Sequence, residues 1–296
     1  MPATNKNILL VINPAAGRCH KAACVDKIPS FFKREGVSYR LVVTRRDYRA
    51  DAVVREEFTS EFTHLIVGGG DGTANDAING LRDFHRPVGF IPMGSGNDFI
   101  KNLHLGNTIE DHLQTVLTGI ERTIDLGKCN DRYFINGIGA GFDGQIVLNM
   151  TKNKSWFRGH AAYMYHVIRI LGGYRERKVS YSIDGKSFEN NILLIIAGNG
   201  TTFGGGFKLV PEADIADGKL HLCVIKRVHP IRRFMALKKL ENGTHGSIPG
   251  VEFHTASELV IHGGDIHGQI DGEYAGNPPY RIRLSRNKLI IMDGKE

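Results

Sequence analysis

Residues 65–80 read LIVGGGDGTANDAING, an apolar run followed by three glycines, an aspartate, a fourth glycine and a threonine. Gly68, Gly69, Gly70 and Gly72 lack a Cβ and tolerate φ > 0, which lets an anionic group come close to the main-chain amides. A helix starting near Thr73 adds unpaired N–H groups and the positive end of its dipole, so the chemistry on offer is polyphosphate binding. Asp71 is itself anionic. Among phosphate-binding amides a carboxylate fits a divalent cation, a water ordered around one, or a hydroxyl awaiting deprotonation. The plainer alternative is a strand-to-helix turn with an Asp cap.

Two further turns carry the argument past a single glycine loop. NPAAG (Asn13 to Gly17) and PMGSGND (Pro92 to Asp98) each follow a short apolar run closed by turn formers, as GGGDG does. Runs of this kind at Ile8–Ile12, 38–46, 63–70 and 86–94 alternate with helical stretches at 21–36, 48–58 and 71–81, Pro29 shifting or kinking the first of these. Such alternation predicts an α/β domain, a parallel sheet flanked by helices, over residues 1–126. All three loops then leave the carboxyl edge of one sheet, where open α/β folds bind ligands.

From residue 127 to 296 the pattern changes to short strands with glycine-rich turns, interrupted by helices near His160–Leu171 and Ile231–Leu240. A mainly antiparallel β-sandwich domain is expected there. Gly139, Gly141 and Gly144 in GAGFDG fit a dinucleotide-binding pattern, but the next segment is broken by polar residues and no acidic residue follows at the usual distance. That stretch reads as a strand and turn. No GxxxxGK[ST] loop is present, which argues against ordinary P-loop chemistry.

NPAAG, GGGDGTANDAING and PMGSGND together resemble the catalytic domain of the diacylglycerol kinase and sphingosine kinase superfamily, nearest to its soluble bacterial lipid kinases. INGIGAGFDGQIV, GNGTTFGGGFKLVPEADIADGKL and QIDGE resemble the family's later motifs in the same order. The resemblance implies an ATP:lipid phosphotransferase with its active site in the cleft between two domains. Carried over by position, the ATP contacts are Asn13, Pro14, Ala15, Ala16, Gly17, Thr44, Gly69, Gly70, Asp71, Gly72, Thr73, Ala74, Asn75, Ser95 and Asp98. The family often has Thr where this chain has Ser95 and Gly96, and either hydroxyl donates to a phosphate. Its proton acceptor matches Glu273, with Asp271 beside it. Two carboxylates in one strand-end turn divide the labour between orientation or metal binding and proton removal, and together with Asp71 their assignment stays open. Without the resemblance DGE reads as a surface Asp-Gly turn. A structural Mg²⁺ site maps to Asp214, Asp217 and the carbonyl of Lys219, where hard oxygen ligands suit that ion; its alternative is a solvated acidic turn.

Composition fits this reading. A chain of 296 residues, 41% hydrophobic and 23% charged, has the apolar surface to fold, and its length favours two domains. The longest apolar run, Ile192–Ala197, is far too short to cross a bilayer, and the N-terminus lacks a signal h-region, so a mature cytoplasmic chain is expected. Cys19, Cys24, Cys129 and Cys223 are scattered and suggest neither zinc nor disulfides. The net charge of +7 suits an anionic membrane or nucleotide, and no nucleic-acid-binding signature accompanies it. HPIRRFMALKKL sets Ile231, Phe234, Met235 and Leu240 among Arg232, Arg233, Lys238 and Lys239, a basic amphipathic helix that can dock on anionic lipid or pack inward. Lys152, Lys154 and Arg158 with Trp156 and Phe157 form a similar mixture, and Arg18 and Lys21 lie just past the first turn. Exposed strand edges would permit a homodimer. The rival readings are a kinase acting on NAD and a nucleotide-binding regulator without catalysis; the cluster of carboxylates beside phosphate loops argues against the second.

Overall fold

The computed structural model describes residues 6–17, 21–152 and 160–294. Arg18, Cys19, Lys154, Trp156, Phe157 and Arg158 lie outside the described residues, as do the side chains of Lys21 and Cys24. The chain forms two compact units, Met1–Ile124 with Asn287–Glu296, and Asp125–Arg286.

In the first unit β1 (Asn7–Ile12), β2 (Ser38–Val43), β3 (His64–Gly69) and β4 (Val88–Pro92) alternate with α1 (Lys21–Glu35), α2 (Ala50–Glu57) and α3 (Asp71–Gly80). Strand order is β4-β3-β1-β2 with every pair parallel. Ile12 lies beside both Val43 and Gly68, and Gly69 beside Pro92, so the strands end level and their exit loops share an edge. Burial on both faces is what makes these strands read as continuous apolar runs. Ile8, Leu10 and Ile12 share a core with Ile28 and Phe32 of α1, while Leu9 and Val11, which point the other way, are equally buried. Pro29 sits inside α1, which runs through it.

One helix of this unit is absent from the sequence reading: α4 (Ile109–Thr118). Its signal was available, because Thr108 and Asp111 form a reciprocal capping box, Thr108 Oγ1 accepting from the Asp111 amide at 3.1 Å and Asp111 Oδ2 from the Thr108 amide at 2.8 Å.

The second unit begins inside β5 (Ile120–Cys129), close to the expected boundary at 126, and continues through β6 (Arg132–Phe134) and β7 (Gly137–Gly141). GAGFDG reads as a strand and turn; the strand is β7, and in place of the turn the chain enters a helix, α5 (Phe142–Lys152). Phe142, Ile146 and Val147 supply that helix with a buried face at i, i+4 and i+5. There follow α6 (His160–Leu171), β8 (Arg177–Ile183), β9 (Lys186–Gly198), β10 (Leu220–Lys226), α7 (Pro230–Asn242), β11 (Val251–Ala256), β12 (Glu258–Gly263), β13 (Gly268–Ile270), β14 (Glu273–Gly276) and β15 (Tyr280–Asp293). The pairs β5–β6, β7–β9, β7–β13, β8–β9, β8–β12, β9–β10, β10–β11, β12–β15 and β13–β14 are antiparallel, and the long β9 branches, carrying β8 on its first half and β7 and β10 on its second. Beneath the strands lies one core; a second joins α5, α6 and α7 to β9 and β10 through Phe142, Val167, Leu194, Ile225 and their neighbours.

The expected second domain, 127–296, gives up its end. From Asn287 onward β15 belongs to the first unit, where Ile291 pairs parallel with Val88, and Leu289, Ile291 and Met292 are buried. Asp293 anchors it there by accepting from the His104 amide at 2.7 Å and from Arg122 Nη1 at 3.3 Å. An apolar strand end goes where it is covered, whatever the chain order. Cys129 and Cys223 are buried free thiols, and burial pushes each up to about 12.

Four buried histidines make the fold sensitive to acid. Among the described residues His64 Nε2, His112 Nδ1, both ring nitrogens of His166 and His245 Nδ1 find no hydrogen-bond partner, and burial lowers the pKa of all four rings, that of His64 to about 4. Below the ordinary histidine value of about 6.5 the unfolded chain takes up protons that the folded chain refuses, so stability is fully present above that pH and falls with acidification. Between pH 7.5 and 5.5, His64 alone should cost about 1 kcal/mol. Urea unfolding at both values checks this, and His64→Gln should reduce the difference by about 1 kcal/mol.

Candidate active site

The three glycine-bearing loops meet in the first unit. Asn13 anchors the first: its side-chain oxygen accepts from the Ala15 amide at 2.9 Å and its Nδ2 donates to Thr73 Oγ1 at 2.9 Å, at the start of α3. Gly17 has φ +64, and a Cβ there would fall 1.7 Å from the Met93 carbonyl oxygen, so the first loop lies directly on the third. The second loop touches the third at Gly70 and Gly94, where a Cβ on Gly94 would sit 2.5 Å from the Gly70 Cα. Asn97, at φ +48, ties the third loop shut by accepting from the Gly94 amide and donating to the Gly94 carbonyl, both at 3.0 Å. Sequence reading passed over Asn97; a polar residue that tolerates the left-handed region between Gly96 and Asp98 was its available signal.

Asp71 is the first residue of α3, whose N-cap is Gly70, a residue without a side chain to cap it. Its Oδ1 accepts from the Phe99 amide at 3.3 Å, which links the aspartate to the end of the third loop. The amides of the first turn of α3 and the dipole behind them offer positive potential beside it. Ala15, Gly17 and Ser95 are exposed, and Asn13, Pro14, Ala16, Gly70, Asp71 and Gly72 are half-buried, so this rim is open to a ligand. Gly69, Thr73, Ala74 and Asn75 are buried behind it, and Thr44, 8% exposed, follows β2 with its amide on the Ile12 carbonyl at 2.8 Å. Asp98, read as an ATP contact, is buried and pairs with Lys101 Nζ at 2.7 Å.

In the second unit the DGE stretch is a two-residue hairpin joining β13 to β14. Asp271 and Gly272 take φ of +45 and +83, and Ile270 pairs with Glu273. Two successive positive φ values are what a tight hairpin with the strand twist demands, and Asp-Gly supplies them. The two carboxylates separate clearly. Asp271 is 4% exposed and accepts from three successive amides, Ile135 at 2.8 Å, Asn136 at 3.0 Å and Gly137 at 2.8 Å. Glu273 is about one-third exposed and pairs with Arg132 Nη2 at 2.6 Å. Asp271 therefore holds the turn, and Glu273 presents the reachable carboxylate. Arg132 was not singled out by sequence, since its partner lies 141 positions away.

Asp214, Asp217 and Lys219 lie in one turn before β10. Asp214 Oδ1 accepts from the Ala216 amide at 2.9 Å, Asp217 Oδ1 from the Lys219 amide at 3.0 Å, and Asp217 Oδ2 contacts His221 Nε2 at 2.9 Å. Asp125, unread in the sequence, receives the Gly218 amide at 2.7 Å. Among the described residues no three acidic, histidine or cysteine side chains gather to hold a metal, so these residues fit a cation only with backbone oxygens and water completing its shell.

The second unit also contains an apolar cavity between its helices and strands, walled by Phe142, Val167, Leu194, Leu209, Leu237 and Leu240. Asp143, Tyr163, Arg233 and His245 bring polar groups to it. Asp143 is buried, with Tyr163 Oη donating to it at 3.0 Å and Gln269 Nε2 at 2.6 Å. Gln269 in turn accepts from the Gly272 amide at 2.7 Å, so a buried chain of hydrogen bonds connects the cavity to the Glu273 turn.

Residues 7–129 match the diacylglycerol kinase catalytic domain, and residues 136–293 match the YegS C-terminal NAD kinase beta sandwich-like domain. Over 294 residues the chain is 28% identical to a diacylglycerol kinase of Bacillus subtilis (strain 168), covering 97% of this chain and 96% of the relative. Over 297 residues it is 29% identical to a diacylglycerol kinase of Staphylococcus epidermidis, covering 98% and 93%. A solved diacylglycerol kinase structure from Bacillus anthracis str. Sterne shares the fold, with a TM-score of 0.72 at 20% identity over 98% of this chain and 97% of that one. A second structure from the same organism reaches 0.78 at 23% identity over the same shares. With both domain models matched in order along nearly its whole length, and with the glycine loops assembled around Asp71, the chain belongs to the diacylglycerol kinase family and is a kinase.

Proposed function

We propose that the protein transfers the γ-phosphoryl group of ATP to the hydroxyl of a lipid alcohol, diacylglycerol first among them, to give phosphatidic acid. The observation that supports this best is the contact of three glycine loops beside the N-terminus of α3, which a Cβ at Gly17 or Gly94 would force apart. Bound ATP with Mg²⁺ supplies the phosphoryl group and neutralises the charge that grows on its oxygens.

The chain's own groups do the rest. Loop amides from Ala15 to Gly17, Gly70 to Gly72 and Ser95 hold the phosphates, with the Ser95 hydroxyl as an added donor. Asp71 orients the cation or its waters from the first turn of α3. Glu273 takes the proton of the acceptor hydroxyl as that oxygen bonds to phosphorus and the bond to the β-phosphate oxygen breaks, releasing ADP. Arg132 holds Glu273 in place until substrate arrives, and Asp271 keeps the hairpin from shifting. The apolar cavity with its buried Asp143 suits a substrate that is mostly hydrocarbon with one polar end, as NAD is not. Peripheral binding at the bilayer follows from such a substrate.

Incubation with labelled ATP, Mg²⁺ and, separately, dispersed diacylglycerol, a sphingoid base and NAD tests the reading. Label in phosphatidic acid is expected; label in the NAD arm alone would overturn it. Asp71→Asn should lower kcat by about 10²-fold or more with the melting temperature unchanged. A similar loss, about 10²-fold, is expected for Glu273→Gln, with the KM for ATP little changed. Asp271→Ala behaves differently. It strands three buried amides at about 1–3 kcal/mol each, so the apparent unfolding free energy should drop by about 3 kcal/mol or more. Urea denaturation separates this structural loss from the purely kinetic losses at Asp71 and Glu273.

A further inference from the structure

Helices α6 and α7 of the second unit are apolar on two faces. Inward, Val167 and Leu171 of α6 and Leu237 and Leu240 of α7 line the cavity. Outward, Tyr165 and Ile168 of α6 are 42% and 55% exposed, and Ile231, Phe234 and Met235 of α7 are 69%, 44% and 73% exposed. Five of the eight large hydrophobic residues exposed among the described residues therefore fall on these two helices. The spacings i, i+3 and i, i+3, i+4 put each set on one helix face. The two faces adjoin, because a Cβ on Gly172, just past α6, would lie 3.5 Å from the Phe234 ring. A contiguous exposed apolar surface of this kind marks an interaction site.

Charge identifies the occupant. Arg169, Arg232, Lys238 and Lys239 are exposed on the same helices, and the only acidic residue on either helix is Glu241, which pairs with Lys238 at 3.0 Å. A second copy of this chain would set like charges against each other, because a two-fold interface opposes a patch to itself. An anionic bilayer takes both the cations and the protruding side chains.

Two residues first read as part of this face are elsewhere. Leu240 lines the cavity, and Arg233 is 4% exposed. Arg233 donates to the carbonyls of Leu171 and Tyr174 at 2.9 and 2.6 Å, donates to Val228 O at 2.9 Å, and pairs with Glu176 at 2.7 Å. It fastens α7 to the end of α6, so the two helices form one panel.

We propose that the α6–α7 panel is the membrane-docking surface: its outer face seats in the interface of an anionic bilayer while its inner face receives the acyl chains of a lipid drawn from that bilayer. The docking half stands on the exposed face alone; the acyl half rests on the lipid-kinase reading.

The test uses the full chain with vesicles of phosphatidylglycerol and phosphatidylcholine in equal parts, vesicles of phosphatidylcholine alone, and a short-chain diacylglycerol dispersed in detergent. Wild type should sediment with the mixed vesicles and not with phosphatidylcholine. Ile231→Glu with Met235→Glu, at positions open enough to tolerate the change, should weaken vesicle binding at least about tenfold while keeping the rate on dispersed diacylglycerol. Met235→Trp should be quenched by brominated phosphatidylglycerol beyond the quenching of the parent protein. Equal vesicle binding by wild type and the double variant, no binding of mixed vesicles by wild type, an unquenched Trp at 235, or a dimer in solution that the double variant dissolves would each overturn the proposal. Vesicle binding by a wild type that leaves dispersed diacylglycerol unphosphorylated would keep the docking surface and overturn the acyl-entry half with the lipid-kinase reading.

Discussion

Everything in the first unit's candidate site depends on backbone meeting backbone without an intervening side chain. The loops after β1 and β4 lie against each other at Gly17 and Met93, and those after β3 and β4 at Gly70 and Gly94. A methyl group at position 17 would overlap a carbonyl oxygen outright, and φ +64 strains any other residue there as well. The level ends of the parallel strands bring the loops to one edge; absent side chains let them close on it. What remains exposed is a rim of amides at the start of α3 with one carboxylate among them. The rim is also well fixed, because Asn13, Thr73 and Asn97 hold it by hydrogen bonds within and between loops. Preorganised donors of this sort stabilise developing charge without reorganising as the reaction proceeds.

The second unit reaches similar rigidity by another route. There a single carboxylate, Asp271, collects three amides of the segment entering β7 and so fixes the hairpin that carries Glu273. Charge-assisted bonds to backbone are among the stronger ones, and in a buried setting each leaves little freedom. Through Gln269 the same hairpin is joined to Asp143 at the cavity. A substrate that disturbed Asp143 would therefore act on the Gly272 amide two hydrogen bonds away, which gives the cavity a physical connection to the turn.

The parallel sheet was legible because doubly buried strands read as apolar runs and their turns carry glycine, proline and asparagine in place. The three loops were legible for the same reason, and their contact follows from strand order. Other features were hidden by distance in sequence. Glu176 lies 57 positions from Arg233, and nothing local marks that arginine as buried rather than solvated. The segment after Gly141 reads as a turn because glycines surround it; burial of Phe142 and Ile146 in the core shared with α6 and α7 overrides that propensity. The end of β15 looked like one more strand of the second domain, and only the place offered beside Val88 decides otherwise. DGE showed two carboxylates but not their division, since the three amides that claim Asp271 lie more than 130 positions upstream.

The Arg233–Glu176 pair shows why a buried ion pair is worth keeping where apolar packing would serve stability as well. Removing two charges from water costs several kcal/mol, and their attraction offsets this only when the remaining donors are satisfied. Here four of the five N–H groups are placed: the guanidinium reaches three carbonyls besides the carboxylate. The gain lies in specificity of orientation. Ala236, Leu237 and Leu240 hold the inner side of α7 to the core by burial, which sets no sharp angle about the helix axis. With the planar fork of an arginine fixed to the end of α6, rotation about that axis breaks several directed bonds at once. Burial of the inner face and the arginine's directed bonds thus agree on one orientation, the one that leaves Ile231, Phe234 and Met235 facing outward.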